Sequence, residues 1–200
     1  MTKRTVLALL IWVLTIAGCT GTGEMIRSRS AGVRRDVFEE LRERTPIPKG
    51  HADLRIVSSL KIHRPGYYPF DDKTHGTPDY MLLVNIDGQA IRVKATLKEE
   101  GIEPGKPGTQ ETGEGIRYLF GKDLRLKAGV HRLFIALPED GVAIEKEILL
   151  KDGSDNILRL EPVYRSAKKA GVRNSVYIKG EPSFARGIQG FVVRLNDQTL

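Results

Sequence analysis

Leu54-Arg55-Ile56-Val57-Ser58-Ser59-Leu60-Lys61-Ile62 sets the period of this chain. Leu54, Ile56, Leu60 and Ile62 alternate with Arg55, Val57, Ser59 and Lys61. Successive side chains of a strand point to opposite faces, so this segment has one apolar face and is half-buried. Pro65-Gly66 ends it. A mixed loop then runs to Asp79, with Tyr67, Tyr68, Phe70, Asp71, Asp72 and His75 in it.

The same period continues downstream. Tyr80 to Asp87 reads as a buried strand, and Ile91, Val93, Ala95 and Leu97 as the apolar face of another. Asp87-Gly88 between them predicts a hairpin, because both residues accept the positive φ of a two-residue turn. Glu99 to Gly115 is polar and rich in Gly and Pro, and reads as a mobile loop. Ile116 to Phe120 resumes the sheet, with Leu124 and Leu126 beyond Gly121. His131, Leu133, Ile135 and Leu137 alternate, and Pro138 closes that strand. His131 is expected to order the turn that precedes it. Val142 to Leu150 and Ile157 to Tyr164 follow, separated by Lys151-Asp152-Gly153-Ser154-Asp155-Asn156. Short strands at regular spacing, with turn chemistry between them, predict a mainly β domain over residues 51–164, an antiparallel β-sandwich.

Within it, Leu126-Lys127-Ala128-Gly129-Val130-His131-Arg132-Leu133-Phe134-Ile135, ending in Ile157 to Leu160, resembles the bacterial PEGA domain and related Ig-like modules. The shared feature is a G-x-H turn entering a strand. The resemblance covers about 40 residues, the size of a supersecondary unit. It implies an Ig-like sandwich used at an extracytoplasmic surface, and it brings no catalytic residues. Residues 165–200 are more basic and less periodic. Val176 to Ile178 and Phe191 to Leu195 are expected strands that complete the sandwich or form an appendage.

Upstream, Val33, Val37 and Leu41 fall at i, i+4 and i+8, with Phe38 alongside. This spacing predicts a short amphipathic helix, and residues 33–50 are read as that helix and its linker. Residues 19–32 are small and polar, and are read as a flexible tether.

Residues 1–18 read as a secretory signal peptide. Lys3 and Arg4 precede an apolar run from Val6 to Ala17, which is shorter than the roughly 20 residues of a membrane-spanning helix. Ile16-Ala17-Gly18-Cys19 resembles the lipobox of bacterial lipoproteins. That resemblance implies cleavage between Gly18 and Cys19, a diacylglyceryl group on the Cys19 thiol and an acylated new N-terminus. Several acyl chains hold a protein firmly where one does not. In that family an Asp after the Cys commonly signals inner-membrane retention. Thr20 stands there instead, which implies the outer membrane, facing the periplasm, in a Gram-negative source. Cys19 is the single cysteine, so no intrachain disulfide forms.

Loss of Lys3 and Arg4 lowers the formal net charge from +7 to +5. In the cell envelope a basic excess points to anionic lipid, polysaccharide or an acidic envelope protein as counterpart, and nucleic acid is not expected. Ser58-x-x-Lys61 and Ser166-x-x-Lys169 match the S-x-x-K of penicillin-interacting enzymes, but the S-D-N and K-T-G elements are missing. His51, His63, His75 and His131 form no close helical pair. His63, Asp71, Asp72 and His75 could converge in one loop around a divalent cation, but no metal or other cofactor is expected beyond the lipid on Cys19. Tyr67, Tyr68 and Phe70, beside Asp71 and Asp72, are the binding candidates, for a sugar face or a partner peptide. The same rings also suit the cap of a sandwich end. The sequence thus predicts a non-catalytic, lipid-anchored interaction module, with a glycan-binding module as the alternative and a hydrolase as the third reading.

Overall fold

The computed structural model describes residues 21–67, 74–101, 111–165 and 183–200. A helix, α1 (Thr22–Ser30), comes first. The strands are β1 (Phe38–Glu40), β2 (His51–Ile62), β3 (Leu82–Ile86), β4 (Gln89–Val93), β5 (Ala95–Glu100) and β6 (Gly115–Lys127). They continue with β7 (Gly129–Leu137), β8 (Val142–Leu150), β9 (Asp155–Tyr164), β10 (Ile188–Leu195) and β11 (Gln198–Thr199). One sheet has the order β1-β6-β2-β9-β10-β11, with β5 also on β6. The second has the order β4-β3-β7-β8. The arrangement is a mainly β, two-sheet fold consistent with a sandwich, as the alternation predicts.

The apolar face of β2 is the floor of the core. Ala52, Leu54, Ile56, Leu60 and Ile62 are buried, and pack with Leu82, Val84 and Ile86 of β3 and Leu133, Ile135 and Leu137 of β7. Every pairing is antiparallel except β2 with β9, which is parallel from Asp53↔Asp155 to Ser58↔Leu160. Gly121 does not interrupt its strand: β6 runs for 13 residues and pairs Gly121 with Val57. The chain passes between sheets at Lys94, which alone separates β4 from β5. The Asp87-Gly88 turn forms as expected, with φ of 47° and 95°. His131 orders the neighbouring turns from both ring nitrogens, 2.7 Å from Asp87 Oδ2 and 2.8 Å from Lys127 O. β10 joins the main sheet beside β9, so the C-terminal strand completes the sandwich. The strand expected at Val176 to Ile178 lies outside the described residues.

Two N-terminal expectations are corrected. The short helix occupies Thr22–Ser30, inside the expected tether, and not residues 33–44. Ile26 is buried against Leu83, Phe134 and Ala136 on the outer face of the second sheet, and that contact fixes the segment. Asn85 Nδ2 donates to Arg29 O at 2.8 Å, and Arg29 pairs with Glu145 at 3.0 Å. Residues 33–44 are instead irregular and extended. The Val33 and Arg34 amides donate to Gly88 O, and those of Val37 and Phe38 to Gln89 Oε1. Phe38 then enters the core from β1, opposite Leu126. Val33 is 88% exposed. Hydrogen bonds to Gly88 and Gln89 and the burial of Phe38 hold this segment extended, in place of the expected helix.

Candidate functional site

The densest group of buried polar side chains sits at one end of the sandwich. His63 follows the last residue of β2, and Asp140 closes the turn Pro138–Asp140 between β7 and β8. His75 and Tyr80 come from the connection that crosses this end to β3. His63, His75, Tyr80 and Asp140 are each at least nine-tenths buried. His63 Nε2 lies 2.9 Å from His75 Nδ1, and His75 Nε2 lies 3.3 Å from Asp140 Oδ2. The second contact is too oblique for a strong hydrogen bond. Tyr80 Oη donates to Asp140 Oδ2 at 2.6 Å, and the Ile188 amide to Oδ1 at 3.3 Å.

Donor and acceptor roles place the hydrogens. The Arg64 carbonyl, 2.9 Å from His63 Nδ1, can only accept, so Nδ1 carries one. A second hydrogen lies between the two rings. His75 Nε2 then faces a carboxylate, and the contact is attractive only when that nitrogen carries a third. Burial raises the Asp140 carboxyl, but the attraction of His75 and the hydrogen bond from Tyr80 outweigh it, and Asp140 is held below the usual carboxylate range. Burial, and then the Asp140 charge, push the Tyr80 phenol well above its usual value, so Tyr80 stays a donor.

The backbone is shaped to this group. Gly187 has φ +83°, and a Cβ there would lie 2.6 Å from Asp140 Oδ1. Gly76, beside His75, has φ +78°, and a Cβ there would lie 2.3 Å from the Pro65 ring. Tyr80 stacks edge-on with His75 at 5.1 Å and with Tyr118 at 5.0 Å.

A second polar network adjoins the first at the end of β2, around the buried Lys61. Lys61 Nζ donates to Gly113 O at 2.5 Å and lies 3.3 Å from Glu100 Oε2. Arg117 clamps Glu100 through Nε and Nη2 and reaches Glu111 at 2.9 Å. Tyr164 Oη donates to Glu111 at 2.6 Å. These contacts tie β5, β6, β2 and β9 together at one level. Ser58 and Lys61 do not meet: Ser58 Oγ donates to Leu160 O. The other S-x-x-K match, Ser166 to Lys169, lies outside the described residues.

Of the residues singled out by sequence, Tyr67 is 44% exposed, with its ring centre 5.8 Å from that of His63. Gly18, Cys19, Tyr68, Phe70, Asp71 and Asp72 lie outside the described residues. Among the described residues no group of three His, Cys, Asp or Glu is placed to hold a metal ion. The sequence named His63 and His75 but joined them to the nearby Asp71 and Asp72. It missed Asp140 and Tyr80, which arrive from other elements, and no spacing marks them. No family model matches this chain, and no curated protein or solved structure matches it either.

Proposed function

We propose that this protein is a cell-envelope lipoprotein, held by an acylated Cys19, whose β-sandwich is a non-catalytic interaction module. The observation that carries the reading is Ile16-Ala17-Gly18-Cys19 behind a basic and apolar leader, with a folded helix starting only three residues after the Cys. Among the described residues no helix is long and apolar enough to cross a membrane. The non-catalytic part is supported by the buried end cluster. His63, His75, Tyr80 and Asp140 bond to one another and to backbone, which ties the loop after β2 to the turn after β7.

Metabolic labelling with an alkyne fatty acid tests the anchor. The wild-type chain is expected to take label and to sediment with membranes, and Cys19→Ser to lose both. Label on the Cys19→Ser chain would sink the reading. Cross-linking followed by recovery of the lipidated protein tests the module, and reproducible recovery as a lone species counts against it. Tyr67, half-exposed beside His63, favours a second reading as a glycan- or peptidoglycan-binding module. Co-sedimentation with sacculi that is unchanged on replacing Tyr67, Tyr68 and Phe70 with Ala rejects it.

A further inference from the structure

The outer face of the second sheet is only partly covered by α1. Ile26 packs on Leu83, Phe134 and Ala136, and Arg29 pairs with Glu145. Two further outward rows across β7 and β8, Arg132↔Glu147 and Val130↔Leu149, lie beyond these contacts. Val130 is 60% exposed and Leu149 58%. Val33, more exposed still, borders the same area across a groove of about 560 Å3 that also has Val130, Arg132 and Phe134 in its lining. Exposed apolar side chains gathered in one place, with a polar rim, mark a site of association. Arg132 and Glu147 stand directly opposite each other, yet no ion pair joins them, and neither side chain has a polar partner among the described residues.

Charge says what fits there. Arg29, Arg34 and Arg132 line the groove together with Asp87, Glu145 and Glu147, so its formal charges cancel, while the whole chain carries +7. A second copy is therefore not repelled by this face as it is by the basic remainder. In a two-fold contact, residue i meets j and j meets i. Turned by a half-turn, the open rows are their own complement: Arg132 of each copy meets Glu147 of the other, and Val130 and Leu149 leave water against their counterparts. The docked helix does not hold two such faces apart. A helix is about 10 Å across, and stacked sheets lie about 10 Å from each other.

We propose that Val130, Arg132, Glu147 and Leu149, with Val33 at the margin, dock a second copy of this chain in a two-fold dimer. The proposal rests on the interaction-module reading above and names a partner for it, and it holds with or without lipid on Cys19. The open rows span two strands, so the dimer belongs to the weak, reversible class, with a Kd on the order of 100 μM. The exchanged Arg132 and Glu147 contacts select the orientation, and the aliphatic side chains between them supply the burial.

Sedimentation equilibrium of the purified full chain, in detergent of matched density, tests this. The wild type is expected to associate to a dimer, and Leu149→Asp and Val130→Asp to stay monomeric. Both positions are exposed, and two variants guard against one failing to fold, which thermal melts check. Arg132→Glu and Glu147→Arg are each expected to weaken the dimer about tenfold or more, because like charges then meet across the axis. Mixed in equal amounts, the two variants are expected to pair with each other as tightly as wild type, since every acid again meets a base. Mixing would not rescue a merely structural defect. Arg159→Glu, exposed on the other sheet, is expected to leave the dimer unchanged. A wild type that is monomeric at ~1 mM overturns the proposal, as does a dimer that survives both Asp variants, a failure to recover on mixing, or an equal loss in Arg159→Glu. A monomer that still cross-links to other proteins of the envelope overturns the dimer and leaves the module reading standing. A monomer with no cross-linked partner overturns both.

Discussion

At the scale of single residues, the molecule is most committed where charge is buried. Asp140 is held by one imidazole, one phenol and one amide, with no described alternative for its negative charge. Removing one partner of such a group costs more than the pair contributes, because the other charge stays buried. His75→Ala is expected to lower stability by about 3 kcal/mol in chemical denaturation, and a loss within error would show that the contact is idle. The acid limb of the stability profile follows from Asp140. Its folded carboxyl sits below its unfolded value, so its contribution is full above the unfolded value near ~4 and is lost as pH falls through the folded one. Asp140→Asn is therefore expected to be less stable than wild type at neutral pH, with the gap closing in acid. Urea melts at a series of pH values measure that gap, and a gap that widens in acid contradicts the assignment.

At the scale of elements, α1 is the informative case. It follows a Gly-rich stretch, and Met25 and Ile26 are its only large apolar residues, so the sequence offered little to mark a helix. One docked side chain and two polar contacts hold it. Ile26→Asp is expected to release the amides of residues 22–30 to fast hydrogen exchange while those of β2 and β6 stay protected. Retained protection in α1 would mean that the helix stands without that contact. The strands were legible because each carries its own evidence: alternation in β2 and β7, and Asp87-Gly88 between β3 and β4. Residues 33–44 were misread because period alone cannot weigh tertiary partners, and the Gln89 Oε1 that accepts from Val37 and Phe38 is 52 and 51 residues away. The end cluster was half legible for the same reason. His63 and His75 are near neighbours in sequence, but the carboxylate that completes them lies beyond β7.

At the scale of the whole molecule, the two sheets are woven by one chain that changes sheet between Ile62 and Leu82, at Lys94, around Ala128 and at 151–154. The strands of the two sheets alternate along the chain and share one core, so unfolding is expected to be a single cooperative transition. Coincident fluorescence and circular dichroism melts check this, and two separated midpoints would show that one sheet outlives the other. The parallel seam between β2 and β9 adds a temporal effect. Ser58 of β2 donates to a carbonyl 102 residues further on, and β9 cannot pair until most of the polypeptide has been made. High contact order of this kind slows closure. For a chain secreted as proposed above, that delay is useful. A chain that cannot lock its central strand early stays threadable through a narrow conduit, and it closes only once its last strands have arrived on the far side.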